Sequence, residues 1–145
     1  MSFLKYVKIV TENDTDVPYL VETYNKPEIS RFLCIGDNYF RYVTSTEDVC
    51  FYKVYAEDSF IGAIHLEKQD TVLFMSILVF SDFQRKGFGK IILKDIQNDV
   101  FGLHYDSVEV SVDEKNYASL ALFKSAGFVK VSQEDELVNF VYRKQ

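Results

Sequence analysis

A mixed α/β sheet covered by helices is the fold class this chain predicts, from three observations. Segments 49–56, 60–67 and 71–79 are apolar and are joined by the short polar turns Glu57-Asp58-Ser59 and Lys68-Gln69-Asp70, which leave room only for antiparallel neighbours. A helix with Ile91, Ile92, Leu93 and Ile96 on one greasy side then crosses over. Segment 107–112 next alternates cleanly, Val108, Val110 and Val112 against Ser107, Glu109 and Ser111. A mostly antiparallel sheet with a crossover helix and further helices on its faces follows.

The remaining elements fit around that frame. Residues 3–10 read as a first strand. Asp14 or Thr15 can cap a helix reaching Tyr24, with Val17, Leu20, Val21 and Tyr24 along one face. Pro27 suits the first turn of a shorter helix ending near Leu33. Residues 36–47, polar and aromatic, read as a loop or ragged strand. Residues 116–126 read as a helix with Leu120, Leu122 and Phe123 toward the core and Gly127 as its C-terminal stop. Residues 128–131 and 137–142 read as closing strands, joined by the solvated acidic turn Gln133-Glu134-Asp135-Glu136.

Bulk properties narrow the function classes. At 145 residues, without internal repeat or linker-like tract, residues 1–145 are expected to form one domain with a real core. A net charge of −6 disfavours a general nucleic-acid binder. The apolar runs are too short to span a bilayer and the N-terminus lacks a signal core, so no membrane association and a cytoplasmic location are expected. Cys34 and Cys50 have no metal-ligand spacing or histidine companions and are read as buried, reduced thiols, with no metal site.

The most informative stretch is the turn Gln84-Arg85-Lys86-Gly87-Phe88-Gly89 leading into Lys90 and the crossover helix. Amide groups at a helix start lack intrahelical partners, and the helix dipole adds positive charge there. Gly87 and Gly89 permit close backbone approach, and Arg85 and Lys86 add full charges. The turn reads as a cradle for a phosphate or pyrophosphate, although a glycine turn of this kind also serves as a plain connector. A P-loop would need Ser or Thr after Gly89-Lys90, where Ile91 stands. A dinucleotide fingerprint would need glycine at Ile92.

Gln84-x-x-Gly87-x-Gly89 resembles the (Q/R)xxGx(G/A) pyrophosphate loop of the GNAT superfamily of acyl-CoA-dependent N-acyltransferases. A second stretch agrees: Asn116-Tyr117-Ala118-Ser119-Leu120-Ala121-Leu122-Phe123-Lys124-Ser125-Ala126-Gly127-Phe128 is similar to the family's N-x-x-A-x-x-L-Y-x-x-x-G-F segment, with Ser119 for alanine and Phe123 for tyrosine. The element order agrees from about residue 3 to 142.

The resemblance implies a GNAT-like fold whose splayed parallel strands form a CoA site. It implies that amides from Gln84 through Lys90 hold the pyrophosphate of acetyl-CoA, the acyl-donor co-substrate. Main-chain groups near Leu78 and Val79 would pair with pantetheine, and Asn116 and Phe123 would lie against the cofactor. The reaction implied is direct attack by an amine, small-molecule or peptide, on the thioester, with an amide near Val79 polarising the carbonyl. A homodimer is also admissible on family grounds.

Phe123 departs from the pattern, since many family members carry a tyrosine there that protonates the departing thiolate. Either Phe123 is simply core and no acid is needed, the thiol ionising near pH ~8.5, or another tyrosine such as Tyr117 substitutes. The same departure admits an acyl-CoA-binding or sensing module that has lost turnover. Glu109 is the candidate base, with His65 and Glu67 as further candidates on the preceding meander. Each also reads as an ordinary sheet-face or hydrogen-bonded residue. The tyrosines and phenylalanines between Tyr39 and Tyr55 read as core, or as the lining of an acceptor pocket.

Overall fold

The computed structural model describes residues 3–144; residues 1, 2 and 145 of the expected domain lie outside the described residues. The chain builds β1 (Leu4–Lys8), α1 (Val17–Tyr24), α2 (Pro27–Ser30), α3 (Tyr39–Ser45), β2 (Val49–Ala56), β3 (Ser59–Gln69) and β4 (Val72–Val79). A single 3-10 turn at Ser81–Phe83 leads to α4 (Phe88–Gln97), β5 (Ser107–Asp113), α5 (Tyr117–Ser125), β6 (Val129–Glu134) and β7 (Leu137–Arg143). The strands form one seven-stranded sheet in the order β1-β2-β3-β4-β5-β7-β6. Among the described residues only the pair β4 and β5 runs parallel, as expected for strands joined through a crossover helix.

Strand alternation separates two cores. On one face Ile64, Leu66, Leu73, Met75, Val108, Val110, Val112, Val138 and Phe140 pack with Ile92, Leu93 and Ile96 of α4 and Phe123 of α5. On the other, Phe51, Ala63 and Leu78 pack with Leu20 and Tyr24 of α1 and Phe40 and Val43 of α3. Two polar contacts lock helices to strands: Tyr6 donates to Asp95 of α4 at 2.6 Å, and buried Lys53 reaches Asp14 and Asp16 at 3.3 and 2.8 Å, fixing the start of α1.

Two expectations are corrected. Residues 39–45 are helical rather than loop or strand. The run Tyr-Phe-Arg-Tyr-Val-Thr-Ser is poor in strong helix formers, but Phe40 and Val43, three apart, both enter the core. The hydroxyls of Thr44 and Ser45 bond back to the carbonyls of Phe40 and Arg41. Cys34 is exposed, since the chain leaving α2 runs along the surface, whereas Cys50 is buried; both are free thiols.

Candidate active site

The site is organised by where β4 and β5 part. Their pairing covers only Val72–Ser107, Leu73–Val108 and Phe74–Glu109; beyond it β4 continues to Val79 and β5 to Asp113 without pairing to each other. The result is a wedge whose vertex is Phe74–Glu109. Phe80 N–H donates to the Ile61 carbonyl at 2.9 Å. Antiparallel alternation therefore pairs Leu78 with Ala63, its partner in register, and turns the N–H and C=O groups of Ile77 and Val79 into the wedge. Consistent with this, the Val79 carbonyl accepts a bond from the Gln84 side chain at 2.9 Å.

At the far end of β4, α4 begins on Gly87, which adopts φ +84° and caps nothing with a side chain. Among the described residues, the amides of Arg85 through Lys90 find no acceptor. Arg85 itself sits at φ +63°, and alternation of this kind turns successive amides to one side. The two glycines serve different ends. A Cβ on Gly87 would meet nothing within 4 Å, so glycine is there for its backbone conformation. A Cβ on Gly89 would approach Leu122 Cδ2 to 3.0 Å, so glycine there lets α4 pack against α5. The cradle thus offers unpaired amides, a helix dipole and two cations to an anion, and the pyrophosphate of CoA fits that donor set.

Asn116 caps α5, its side-chain oxygen accepting from Ser119 N–H at 3.4 Å, which leaves the amide's NH₂ donors for a ligand. Phe123 is only 4% exposed and packs against Phe128 and Phe140, their ring centroids 5.2 and 6.4 Å away. Tyr117 stands in solvent.

On the face bearing α1 to α3, one register row crosses five strands: Val49, Glu67, Phe74, Glu109 and Val141. Glu109 and Glu67 therefore flank Phe74 at the vertex, about 10 Å apart at the backbone from two strand spacings. Among the described residues, the Glu109 carboxylate makes no hydrogen bond or ion pair, and it is half-buried. Beside it a recess of about 460 Å³ is lined by His65, Glu67, Gln69, Phe74, Met75 and Ser76.

A hydrogen-bonded chain runs along this recess. Tyr39 hydroxyl lies 2.5 Å from His65 Nδ1, and His65 Nε2 lies 3.3 Å from Glu67 Oε1. Tyr42 donates to the same oxygen at 2.8 Å, and Gln69 donates to Oε2 at 3.1 Å. Burial lowers the His65 pKa against the pull of Glu67, so the imidazole is neutral at neutral pH. Burial pushes the Glu67 carboxyl up, but the bonds from Tyr42, His65 and Gln69 outweigh it and hold it below its ordinary value. Burial, reinforced by Tyr24, Glu67 and Tyr42, pushes the Tyr39 phenol far above its usual range. The sequence placed Tyr39 and Tyr42 only within a broad aromatic stretch, as core or pocket lining; what it concealed is the helix that brings them to His65 and Glu67. His104 is at the surface, far more exposed than His65.

No His/Cys/Asp/Glu group able to hold a metal occurs among the described residues, and none of their helices is long and apolar enough to cross a membrane.

The described strands thus leave a wedge between β4 and β5 that ends at an uncapped glycine turn. The acetyltransferase (GNAT) domain matches residues 20–141, and the chain belongs to that family. A search of curated protein sequences found no significant match. Solved structures share the fold at low identity. A domain from Methanocaldococcus jannaschii superposes with a TM-score of 0.81 at 17% identity, covering 97% of each chain. Campylobacter jejuni N-acetyltransferase PseH, in complex with acetyl coenzyme A, gives 0.77 at 14%, covering 98% of this chain and 99% of that one. Vibrio cholerae spermidine N-acetyltransferase, in complex with CoA and spermine, gives 0.80 at 12%, covering 97% and 95%.

Proposed function

We propose that the chain is an N-acetyltransferase that moves the acetyl group of acetyl-CoA to an amine by direct attack within a ternary complex. The observation that carries this reading is the continuity of the cradle and the wedge. The unpaired amides of Arg85 through Lys90 lie where β4 leads into α4, and the outward-turned groups of Ile77 and Val79 continue from there toward the vertex.

The amides from Gln84 through Lys90, with the Arg85 and Lys86 charges, take the pyrophosphate. The β4 edge near Leu78 and Val79 pairs with pantetheine through the wedge-facing groups of Ile77 and Val79, as an added strand would, while Leu78 itself stays paired to Ala63. Asn116 contributes its NH₂ donors, and Phe123 an apolar wall. With the pyrophosphate seated at the α4 turn, the arm runs back along β4 and its thioester points at the vertex. A wedge-facing amide near Val79, that of Ile77 on the vertex side, polarises the thioester carbonyl. The amine enters the recess, where ionised Glu67 attracts the ammonium form and Glu109, free of competing partners, removes its proton directly or through water.

The experiment is incubation with acetyl-CoA and a pooled amine panel, following free thiol release and the acetylated product by mass spectrometry. Release that depends on an amine supports the reading. Silence with every amine, alongside tight acetyl-CoA binding, would instead favour an acyl-CoA-sensing module.

A further inference from the structure

Glu67 is an ionised carboxylate that stands in the recess but away from the reacting centre. It is opposite Phe74, whereas the amide assigned to the thioester carbonyl belongs to Ile77, three residues further along β4. At about 3.4 Å per residue that span is about 10 Å, too far for Glu67 to touch the attacking nitrogen. Its side chain is nevertheless fixed: Tyr42 and His65 both bond Oε1, and Gln69 donates to Oε2. An ionised carboxylate has about four acceptor positions, so these donors set its direction and leave room for about one more. We propose that Glu67 is the specificity anchor of the acceptor site, and that the acceptor is a diamine: a primary amine with a second ammonium group, which Glu67 holds, and no carboxylate. The proposal rests on the acetyltransferase reading above and deepens it.

The charges around the recess favour that class. Glu67 and Glu109 share one register row on either side of Phe74. His65 beside them is neutral, since burial lowers its pKa against the pull of Glu67. Among the described residues, no lysine or arginine ion-pairs with either carboxylate. The nearest cation by register, Arg143, is exposed and lies opposite Ser107, two residues along β5 from Glu109. Two carboxylates with no cation between them attract a dication and repel an acceptor that carries its own carboxylate. An alkylammonium ionises like lysine near pH ~10.4, so a diamine arrives doubly charged at neutral pH. Between the two carboxylates the Phe74 ring, 37% exposed, offers an apolar surface to a short methylene chain.

The spacing sets the length of that chain. Of the roughly 10 Å from Glu67 to the reacting centre, about 3 Å is the ammonium–carboxylate bond and about 3 Å the approach of nitrogen to the thioester carbon. The sideways step across one strand, about 4.8 Å, lengthens the path, so the two nitrogens lie about 4–7 Å apart. A saturated chain advances about 2.5 Å for every two bonds, which makes about three to five methylenes the fitting length.

The transfer then balances. The near nitrogen bonds to the thioester carbon, and the carbon–sulfur bond breaks with its electron pair on sulfur. Of the three protons on that ammonium group, one passes to Glu109, one stays on the amide nitrogen, and one goes through solvent to the departing sulfur. The far ammonium keeps its charge on Glu67 throughout, and the product is a singly acetylated diamine.

Matched acceptors test this on the wild-type protein. 1,4-Diaminobutane, 1-aminobutane and ornithine share one chain and differ by the second ammonium group or by an added carboxylate. With acetyl-CoA as donor, kcat/KM for 1,4-diaminobutane should exceed both others by about tenfold or more, mainly through KM, the weight of one charge-assisted hydrogen bond. From 1,2-diaminoethane to 1,8-diaminooctane the maximum should fall at about three to five methylenes. In Glu67→Gln, which keeps the size and removes the charge, the preference for diamine over monoamine should collapse. That preference is a ratio within one protein, so a loss of folded enzyme does not move it. An active wild type that takes 1-aminobutane or ornithine as well as the diamine would overturn the proposal alone. So would a preference that survives Glu67→Gln, or a peptide N-terminal amine that is acetylated faster than every diamine. A wild type silent with every amine would overturn the acetyltransferase reading and the acceptor class with it.

Discussion

Gly62→Ala places a methyl group where β3 meets the stretch of β4 that borders the wedge. The added Cβ would lie 2.1 Å from the Leu78 carbonyl oxygen and 3.1 Å from Val79 Cα. Both are backbone atoms, so no side chain can swing aside, and the strands must separate by roughly 1 Å to restore van der Waals contact. That separation strains or breaks the paired Ala63–Leu78 hydrogen bonds, about 1 kcal/mol each, and adds an overpacking cost of about 1–3 kcal/mol. The gain from a stiffer unfolded chain offsets at most about 1 kcal/mol. The net destabilisation is about 2–4 kcal/mol, a fall in Tm of roughly 6–14 °C for a chain of this size. Thermal and urea denaturation of both proteins measure it, and acetyl-CoA affinity should fall as well because Val79 moves. Gly87→Ala is the internal comparison: it meets no atom within 4 Å and carries only the left-handed backbone penalty, about 1 kcal/mol. A Gly62→Ala protein as stable as wild type would refute the close approach of β3 to β4.

Other outcomes are equally direct. Glu109→Gln should reduce turnover most at moderate pH while acetyl-CoA affinity stays constant; an unchanged pH–rate profile would remove Glu109 as the base. Glu67 makes stability depend on acidity. Its pKa in the folded chain is below the ordinary value of 4.5, so its stabilisation is complete above about pH 4.5 and is lost as pH falls through the folded value. Melting curves between pH 3 and 6 should therefore slope less in Glu67→Gln than in wild type, and identical slopes would contradict the assignment. Asn116→Ala should cost about 1 kcal/mol through loss of the α5 cap and should also weaken acetyl-CoA binding; a stability loss without a binding loss would restrict Asn116 to capping.

Much of this architecture was legible because local signals agreed with the fold. The turns at Glu57 and Asp70, both in left-handed conformations, joined strands whose apolar runs matched their burial. Val108, Val110 and Val112 faced one core, as their spacing required. The start of α4 was legible because a glycine turn stands between an apolar strand and an amphipathic helical pattern, and Gly87 is left-handed there. The role of Gly89 was not, because the demand comes from Leu122, more than thirty residues away. Gly62 was hidden for the same reason, since its constraint lies across the sheet. The Tyr39–His65–Glu67 chain stayed concealed because α3 owes its helix to tertiary burial of Phe40 and Val43 rather than to propensity. Periodicity placed Glu67 and Glu109 on polar faces, but only the register across β3, β4 and β5 brought them to either side of Phe74.

The central claim is that the uncapped start of α4 binds the pyrophosphate of acetyl-CoA. Calorimetric titration of the wild type and Gly87→Glu with acetyl-CoA and with acetyl-pantetheine, which lacks the pyrophosphate, tests it most directly. The wild type should bind acetyl-CoA at least tenfold more tightly than acetyl-pantetheine, and Gly87→Glu should erase that preference by placing a carboxylate at the cradle. Equal affinity of the wild type for the two thioesters, or a preference that survives Gly87→Glu, would contradict it.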